Sequence, residues 1–176
     1  MSSISDVAQF LIRHRVILAT AESCTAGLIA SRVAEIPGTG DVLKCAIVAY
    51  APAIKTSLLH VPRSLIEKEG LTSEAVSFAM AVGIMRLCDV DLAIANTGVA
   101  DGGADDETKS GTQCFAWIWR RRDRCAGFTE TRRFIGERNI VRNAAAEFAL
   151  TRVPSLYERF QRGEGTAVVI PVSRAW

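Results

Sequence analysis

A strand followed at once by a helix is indicated by "VILATAESCTAGLIASRVAEIPG", residues 16–38. Its first five residues, Val16 to Thr20, form a short apolar run rich in β-branched residues, which is typical of a buried strand. From about Thr25 the apolar residues recur at helical spacing until Pro37-Gly38 ends the pattern. The polar segment between the two patterns, TAESCTAG at residues 20–27, therefore lies where a strand turns into a helix.

The same alternation continues along the chain. Apolar runs at 44–50 (KCAIVAY) and 91–96 (DLAIAN) predict two more buried strands, and segments 112–119 and 126–134 flank an arginine-rich turn and predict a hairpin. Four further helices are predicted. One begins at a cap formed by Ser5 or Asp6, one covers residues 64–69, one begins at Thr72 or Ser73, and one covers residues 139–152. Lys55 falls in the loop after the second strand.

Helices alternating with strands, plus one hairpin, predict an α/β fold. We expect a three-layer α/β/α sandwich around a mixed, mostly parallel sheet of about five strands. The domain is expected to cover residues 1–160, with residues 161–176 forming a C-terminal tail or a late edge strand. The apolar run AVVIPV in that tail could add to the sheet edge of a neighbouring copy, so a homo-oligomer is expected.

Composition narrows the functional classes. The chain has 176 residues, a length typical of one domain, and its 49% hydrophobic and 23% charged residues are ordinary for a soluble globular protein. A net charge of +2 gives no electrostatic argument for binding nucleic acid. Five cysteines without a CxxC pattern argue against a disulfide framework or a zinc site. With no signal-peptide core and no run of membrane-spanning length, we expect a cytoplasmic protein without a membrane partner.

Three segments with unusual chemistry follow predicted strands: TAESCTAG, YAPAIK at 50–55 and NTGVADGG at 96–103. In such sheets ligands bind beyond the carboxyl ends of the strands. The local sequence favours a simple interpretation of the first segment, in which Ser23 or Thr25 caps the helix. The alternative is that Ser23 or Cys24 is a nucleophile at a helix start, where backbone amides around Cys24 and Thr25 could stabilise an oxyanion.

A nucleophile needs a base, and the choice of base is limited. The two histidines, His14 and His60, do not lie in a strand-end loop, so a Ser-His-Asp triad and a histidine metal site are poorly supported. Lys55 could serve if partial burial lowered its pKa, and Tyr50 could relay the proton or donate to a carbonyl oxygen. Each residue alone is more typical of a surface lysine or a strand-end aromatic; together with Ser23 they form a possible Ser-Tyr-Lys set.

Substrate anchoring is indicated by two further features. The TGVADGG loop presents backbone amides suited to a phosphate or a carboxylate, while neither GxGxxG nor GxxxxGK[ST] is present. Arg138 and Arg142 lie four residues apart and so on one helix face, where two guanidinium groups could bind phosphate. Two exposed arginines on a helix are an equally good interpretation.

Several motifs together resemble one known family. TAESCTAGLIA, IPGTGDVLKCAIVAYAPAIKTSLLHV, SEAVSFAMAVG, NTGVADGG and FIGERNIVRNAAAEFAL, spanning about residues 5 to 152, resemble the CinA C-terminal-domain family. Its characterised enzymes are nicotinamide-nucleotide amidohydrolases. The resemblance implies hydrolysis of the carboxamide of nicotinamide mononucleotide to nicotinate mononucleotide and ammonia, without metal or cofactor. It also implies that Ser23 is the nucleophile, Lys55 the base and Tyr50 the assisting tyrosine.

Substrate binding is then expected of residues around the nucleophile and in the two anchoring segments: Glu22, Cys24, Thr25, Thr97, Gly98, Gly102, Gly103, Arg138 and Arg142. The sequence also departs from the family pattern. Ala26 replaces a usual glycine, and the glycine loop lacks its usual prolines and carries extra acids at Asp101, Asp105, Asp106 and Glu107. Acids beside a phosphate site weaken anion binding. The alternative hypothesis is therefore a family member that keeps the fold but has lost or shifted its amidase activity.

Overall fold

The structure, a computed structural model, describes residues 3–102, 108–122 and 124–170. The elements in chain order are α1 (Ile4–His14), β1 (Leu18–Glu22), α2 (Leu28–Ala34), a short 3-10 helix (Thr39–Asp41), β2 (Leu43–Val48), α3 (Pro52–Ser57), α4 (Arg63–Glu69), α5 (Glu74–Leu87), β3 (Leu92–Gly98), β4 (Thr112–Arg121), β5 (Arg124–Arg133), α6 (Arg138–Thr151), α7 (Val153–Gln161) and β6 (Thr166–Ala167).

The six strands form one mixed sheet in the order β2-β1-β3-β4-β5-β6. Strand β1 pairs in parallel with β2 and β3, and the pairs β3–β4, β4–β5 and β5–β6 are antiparallel. The expected α/β fold with a mixed sheet is confirmed. Four of the six strands run in one direction, but three of the five strand pairings are antiparallel. Parallel pairings are fewer than expected because the hairpin and the C-terminal strand extend the sheet on one side.

Helices cover both faces of the sheet. On one face α1, α2, α6 and α7 pack on large side chains of β4, and the indole of Trp117 donates a hydrogen bond of 2.8 Å to the carbonyl oxygen of Ala149. On the other face α5 packs on the small side chains of β1 and β3. A Cβ added at Gly83 of α5 would lie 2.1 Å from the carbonyl oxygen of Leu59, so only glycine allows this close approach.

Several boundaries differ from those expected. Helix α1 is capped by Ser3, which forms a capping box with Asp6, rather than by Ser5 or Asp6 itself. Lys55 lies in helix α3 and not in a loop, because Pro52 at its start is preorganised for the first helical turn. The last helical segment is followed by a second helix, α7, with Pro154 in its first turn.

The C-terminal segment reaches the sheet edge. Thr166 and Ala167 pair with Gly127 and Ala126 of β5, while residues 171–176 lie outside the described residues. Within the ranges that the structure describes, no helix has both the length and the apolar composition that crossing a bilayer requires.

Candidate active site

The three predicted segments meet at one edge of the sheet. Glu22, the last residue of β1, is paired with Val48 of β2 and with Asn96 of β3. The chain leaves all three parallel strands in the same direction at this level. The segments that follow carry Ser23, Lys55 and the glycine loop, so their side chains are brought together beyond the carboxyl ends of the strands.

Ser23 and Lys55 are in direct contact. The Nζ of Lys55 lies 2.9 Å from the Oγ of Ser23, and both residues are buried, with exposed fractions of 2% for Lys55 and 8% for Ser23. The interpretation of Ser23 or Thr25 as a helix cap is wrong: α2 begins later, at Leu28, behind Gly27, whose φ of +93° is left-handed. The Ser23 hydroxyl is therefore available to Lys55.

Two backbone carbonyls complete the surroundings of the Lys55 amine. Its Nζ lies 2.7 Å from the carbonyl oxygen of Ala49 and 3.4 Å from that of Tyr50. Burial lowers the pKa of Lys55 from 10.5 to about 8. A neutral amine has two N–H donors and one lone pair, so the two carbonyls can accept both N–H groups while the lone pair accepts the Ser23 proton. The arrangement suits a general base.

Glu22 organises the loop that carries Ser23. Its fully buried carboxylate accepts hydrogen bonds of 2.8–3.1 Å from five donors: the hydroxyls of Thr20 and Thr25 and the amides of Gly27, Ile29 and Ala30. A carboxylate at the start of α2 is also favoured by the helix dipole. We expected Glu22 to bind substrate, but its burial and its five donors assign it to positioning the loop.

The Cys24 side chain and backbone face different surroundings. Its thiol is buried and accepts a hydrogen bond of 3.2 Å from the Nε2 of Gln113, and burial raises its pKa. This disfavours the thiolate that a cysteine nucleophile needs. Among the described residues, the Cys24 amide has no hydrogen-bond acceptor. The Thr25 amide donates 3.1 Å to the Oδ1 of Asn96, so of these two amides the one of Cys24 is the candidate for binding an oxyanion.

The side chains of Asn96 and Gln113 bind the loop that carries Ser23 and Cys24. The sequence did not predict this role for them. The Nδ2 of Asn96 donates 3.1 Å to the Oε1 of Gln113, and the Nε2 of Gln113 donates to Cys24 and to the carbonyl oxygen of Val99. The backbone carbonyl of Asn96 also accepts the Ser23 amide at 3.0 Å. The available signal was a polar residue at the end of one apolar strand, in DLAIAN, and at the start of another, in TQCFAWIW.

The two arginines of α6 have separate partners. Arg142 donates 3.0 Å to the Cys24 carbonyl oxygen and 3.2 Å to that of Thr25, and so fixes the loop that carries Ser23. Arg138 donates 2.7 Å to the Tyr50 hydroxyl and 2.5 Å to the Asp101 carboxylate. The Asp101 carboxylate and the Tyr50 hydroxyl raise the pKa of Arg138. The expected pair of phosphate-binding guanidinium groups is therefore not formed in this conformation.

The structure brings the backbone of Tyr50, rather than its hydroxyl, to Lys55. The carbonyl oxygen approaches the amine, while the half-exposed phenol is hydrogen-bonded to Arg138. Because the phenol oxygen accepts from Arg138, its own proton remains available for another acceptor.

The glycine-loop residues are dispersed. Thr97 is buried and donates 2.8 Å to the carbonyl oxygen of Leu71, so it supports the fold beside the site. A Cβ at Gly98 would lie 2.4 Å from the Oε1 of Gln113. Gly102 is exposed, with a left-handed φ of +48°. Gly103 lies outside the described residues, as do Asp105, Asp106 and Glu107. The described residues contain no group of three or more His, Cys, Asp or Glu side chains that could hold a metal ion.

Comparison with known proteins gives a consistent result. A family model described as the CinA C-terminal domain matches residues 2–157. A CinA-like protein of Mycobacterium leprae is 40% identical over 148 residues, which cover 84% of this chain and 34% of the relative. A CinA-like protein of Geobacter sulfurreducens is 39% identical over 146 residues, covering 82% and 34%. This chain thus spans about a third of the length of these curated relatives.

Solved structures show the same architecture. A CinA superfamily protein from Escherichia coli has a TM-score of 0.80 and 31% identity, covering 88% of this chain and 90% of that one. A CinA superfamily protein from Klebsiella pneumoniae has a TM-score of 0.81 and 31% identity, covering 90% and 96%.

Proposed function

This chain belongs to the CinA C-terminal domain family, and from that premise we propose that it hydrolyses the carboxamide of nicotinamide mononucleotide to nicotinate mononucleotide and ammonia. The observation that carries the proposal is the 2.9 Å contact between the Lys55 amine and the Ser23 hydroxyl. A buried amine with a lowered pKa next to a serine is the pairing that activates a hydroxyl for acyl transfer.

In the first half-reaction Lys55 takes the Ser23 proton while Oγ attacks the carboxamide carbon. The carbonyl oxygen becomes an oxyanion, and we assign its stabilisation to the Cys24 amide. The protonated Lys55 then gives its proton to the amide nitrogen, the C–N bond breaks, and ammonia leaves. The product is an ester between Ser23 and the nicotinate group.

In the second half-reaction water replaces ammonia. Lys55 takes a proton from the water, whose oxygen attacks the ester carbon. The bond between that carbon and Oγ then breaks, and Oγ recovers its proton from Lys55. The chain returns to its starting state, and the second product is the carboxylic acid. The Tyr50 phenol, which keeps its own proton, is assigned to the substrate rather than to the proton relay.

Ammonia release from nicotinamide mononucleotide tests the proposal. We expect the wild-type chain to release one ammonia for each nicotinate mononucleotide formed, and Ser23→Ala to reduce the rate to background. Ser31→Ala is a matched control, because it removes the same hydroxyl from an exposed position on α2. The absence of ammonia release by the wild-type chain would contradict the proposed reaction, and full activity of Ser23→Ala would contradict the assigned nucleophile.

The expected cytoplasmic location and homo-oligomeric state are also proposals. The apolar end of the described chain supports the second: Val169 is exposed two residues after the short edge strand β6. Light scattering at several protein concentrations tests it. A monomer at all concentrations would contradict it.

A further inference from the structure

Arg138 is a half-exposed cation of α6 whose charge acts on Cys24, in the loop that carries Ser23. Arg142, one helical turn further along α6, already contacts the carbonyl oxygens of Cys24 and Thr25. One turn of helix rises about 5.4 Å, so Arg138 lies within reach of a substrate held at Ser23. Its contact with the Tyr50 hydroxyl also places it beside the segment that leads into α3, the helix that carries Lys55.

The Arg138 guanidinium is already bound to a carboxylate of the same chain. Asp101, on the loop that follows β3, accepts a hydrogen bond of 2.5 Å from the Nη1 of Arg138. Guanidinium groups bind carboxylates and phosphates with the same donors. The Asp101 carboxylate therefore holds the position in which Arg138 would bind the phosphate of a nucleotide.

The other cations of the site have different tasks. The Lys55 amine is buried against Ser23 and two carbonyls, and the Arg142 guanidinium is bound to the loop that carries Ser23. A substrate phosphate that is to use Arg138 must first displace Asp101. Both side chains of this ion pair are about half exposed, so the exchange requires no rearrangement of the core.

We propose that Asp101 is a specificity-determining residue, whose carboxylate competes with the substrate phosphate for Arg138. The wild-type chain then discriminates little between nicotinamide mononucleotide and the phosphate-free nicotinamide riboside. The inference rests on the proposed amidase function and deepens it, since it names the residue that sets the preference for phosphorylated over phosphate-free amides.

The test compares kcat/KM for the two amides. We expect the ratio of kcat/KM for the nucleotide to that for the riboside to lie near one in the wild-type chain. It should rise about tenfold in Asp101→Asn, because the Arg138 guanidinium then donates a charged hydrogen bond to the phosphate. Asp101→Ala, which removes the hydrogen bond as well as the charge, should give at least the same rise. Adding Arg138→Gln to either variant should cancel it.

Asp89→Asn is the matched control, because it removes the same charge from an ion pair with Arg120 at the opposite end of β3. It should leave the ratio unchanged. An unchanged or lower ratio in both Asp101 variants would overturn the inference, and so would an equal rise in Asp89→Asn, which would indicate only a change in net charge.

Binding separates this inference from the proposed function. Calorimetric titration of Ser23→Ala and of Ser23→Ala/Asp101→Asn with both amides measures affinity without turnover. Tighter binding of the nucleotide alone in the double variant supports the inference, and equal binding overturns it. If no variant releases ammonia from either amide, the proposed reaction is wrong, and the two titrations still decide the role of Asp101.

Discussion

The lowered pKa of Lys55 predicts that the proposed reaction depends strongly on pH. With a pKa of about 8, the neutral form makes up about 1% of Lys55 at pH 6, about 9% at pH 7 and about half at pH 8. An ordinary lysine would be only about 0.03% neutral at pH 7. We therefore expect kcat/KM to rise about tenfold from pH 6 to pH 7 and to level off above pH 8.

Ammonia release between pH 6 and pH 9.5 measures this profile. Nicotinamide riboside is a useful second substrate, because its lack of a phosphate removes substrate ionisation near pH 6. Lys55→Arg keeps a positive charge that cannot be removed, so it should be inactive at every pH. A profile that is flat between pH 6 and pH 8, or that falls, would refute Lys55 as the base.

The same pKa predicts how stability depends on pH. Because the folded pKa of about 8 lies below the unfolded value of 10.5, the unfolded chain binds more protons between these values, and stability rises with pH there. The cost of burying the charged amine, about 3 kcal/mol, is present in full below about pH 7 and is relieved as the pH rises through 8. Relative to Lys55→Met, the wild-type free energy of unfolding should rise by about 1 kcal/mol from pH 8.5 to 9.5 and hardly change below pH 7.

Urea denaturation of both proteins at these pH values tests the prediction. Lys55→Met serves as the reference because the other titratable groups, including the buried thiols of Cys24 and Cys114 with their raised pKa values, are common to both chains. A difference in stability between the two proteins that stays constant from pH 7 to pH 9.5 would contradict the lowered pKa of the buried Lys55 amine.

Three further predictions follow from the contacts around the site and the core. Glu22→Gln puts an amide donor among five donors, so the free energy of unfolding in urea should fall by about 3 kcal/mol; a change below about 0.5 kcal/mol would contradict the carboxylate's positioning role. Cys24→Ser should keep ammonia release within about fivefold of wild type, whereas complete loss would point to a thiol nucleophile. Gly83→Ala should lower the thermal stability by about 2 kcal/mol through overpacking against Leu59, and an unchanged melting temperature would contradict that close approach.

The sequence predicted the parts of the fold that depend on local pattern. The apolar runs that became β1, β2 and β3 marked strands of one orientation, and their parallel pairing explains why segments 32 residues apart, at Ser23 and Lys55, come into contact. The residue at which α2 begins could not be predicted from the sequence around it. Its first amides are bound by Glu22, which is seven residues before Ile29 and lies on the preceding strand.

The buried hydrogen bonds of Asn96 and Gln113 could not be predicted for the same reason. Asn96 binds the Thr25 amide across 71 residues, and Gln113 reaches Cys24 across 89. A pattern of apolar residues shows that a strand is buried, but it does not show which polar group a distant strand will present. The ion pair of Asp101 with Arg138, 37 residues away, likewise depends on the folded chain.

The chemical identity of the nucleophile is tested most directly by the covalent intermediate. The chain is mixed with nicotinamide mononucleotide, quenched in acid within one turnover, and its intact mass and peptides are measured. We predict an adduct with the mass of the substrate minus ammonia on the peptide that contains Ser23, and no adduct in Ser23→Ala. Turnover with an adduct on another residue, or an undiminished adduct in Ser23→Ala, would contradict a serine activated by Lys55.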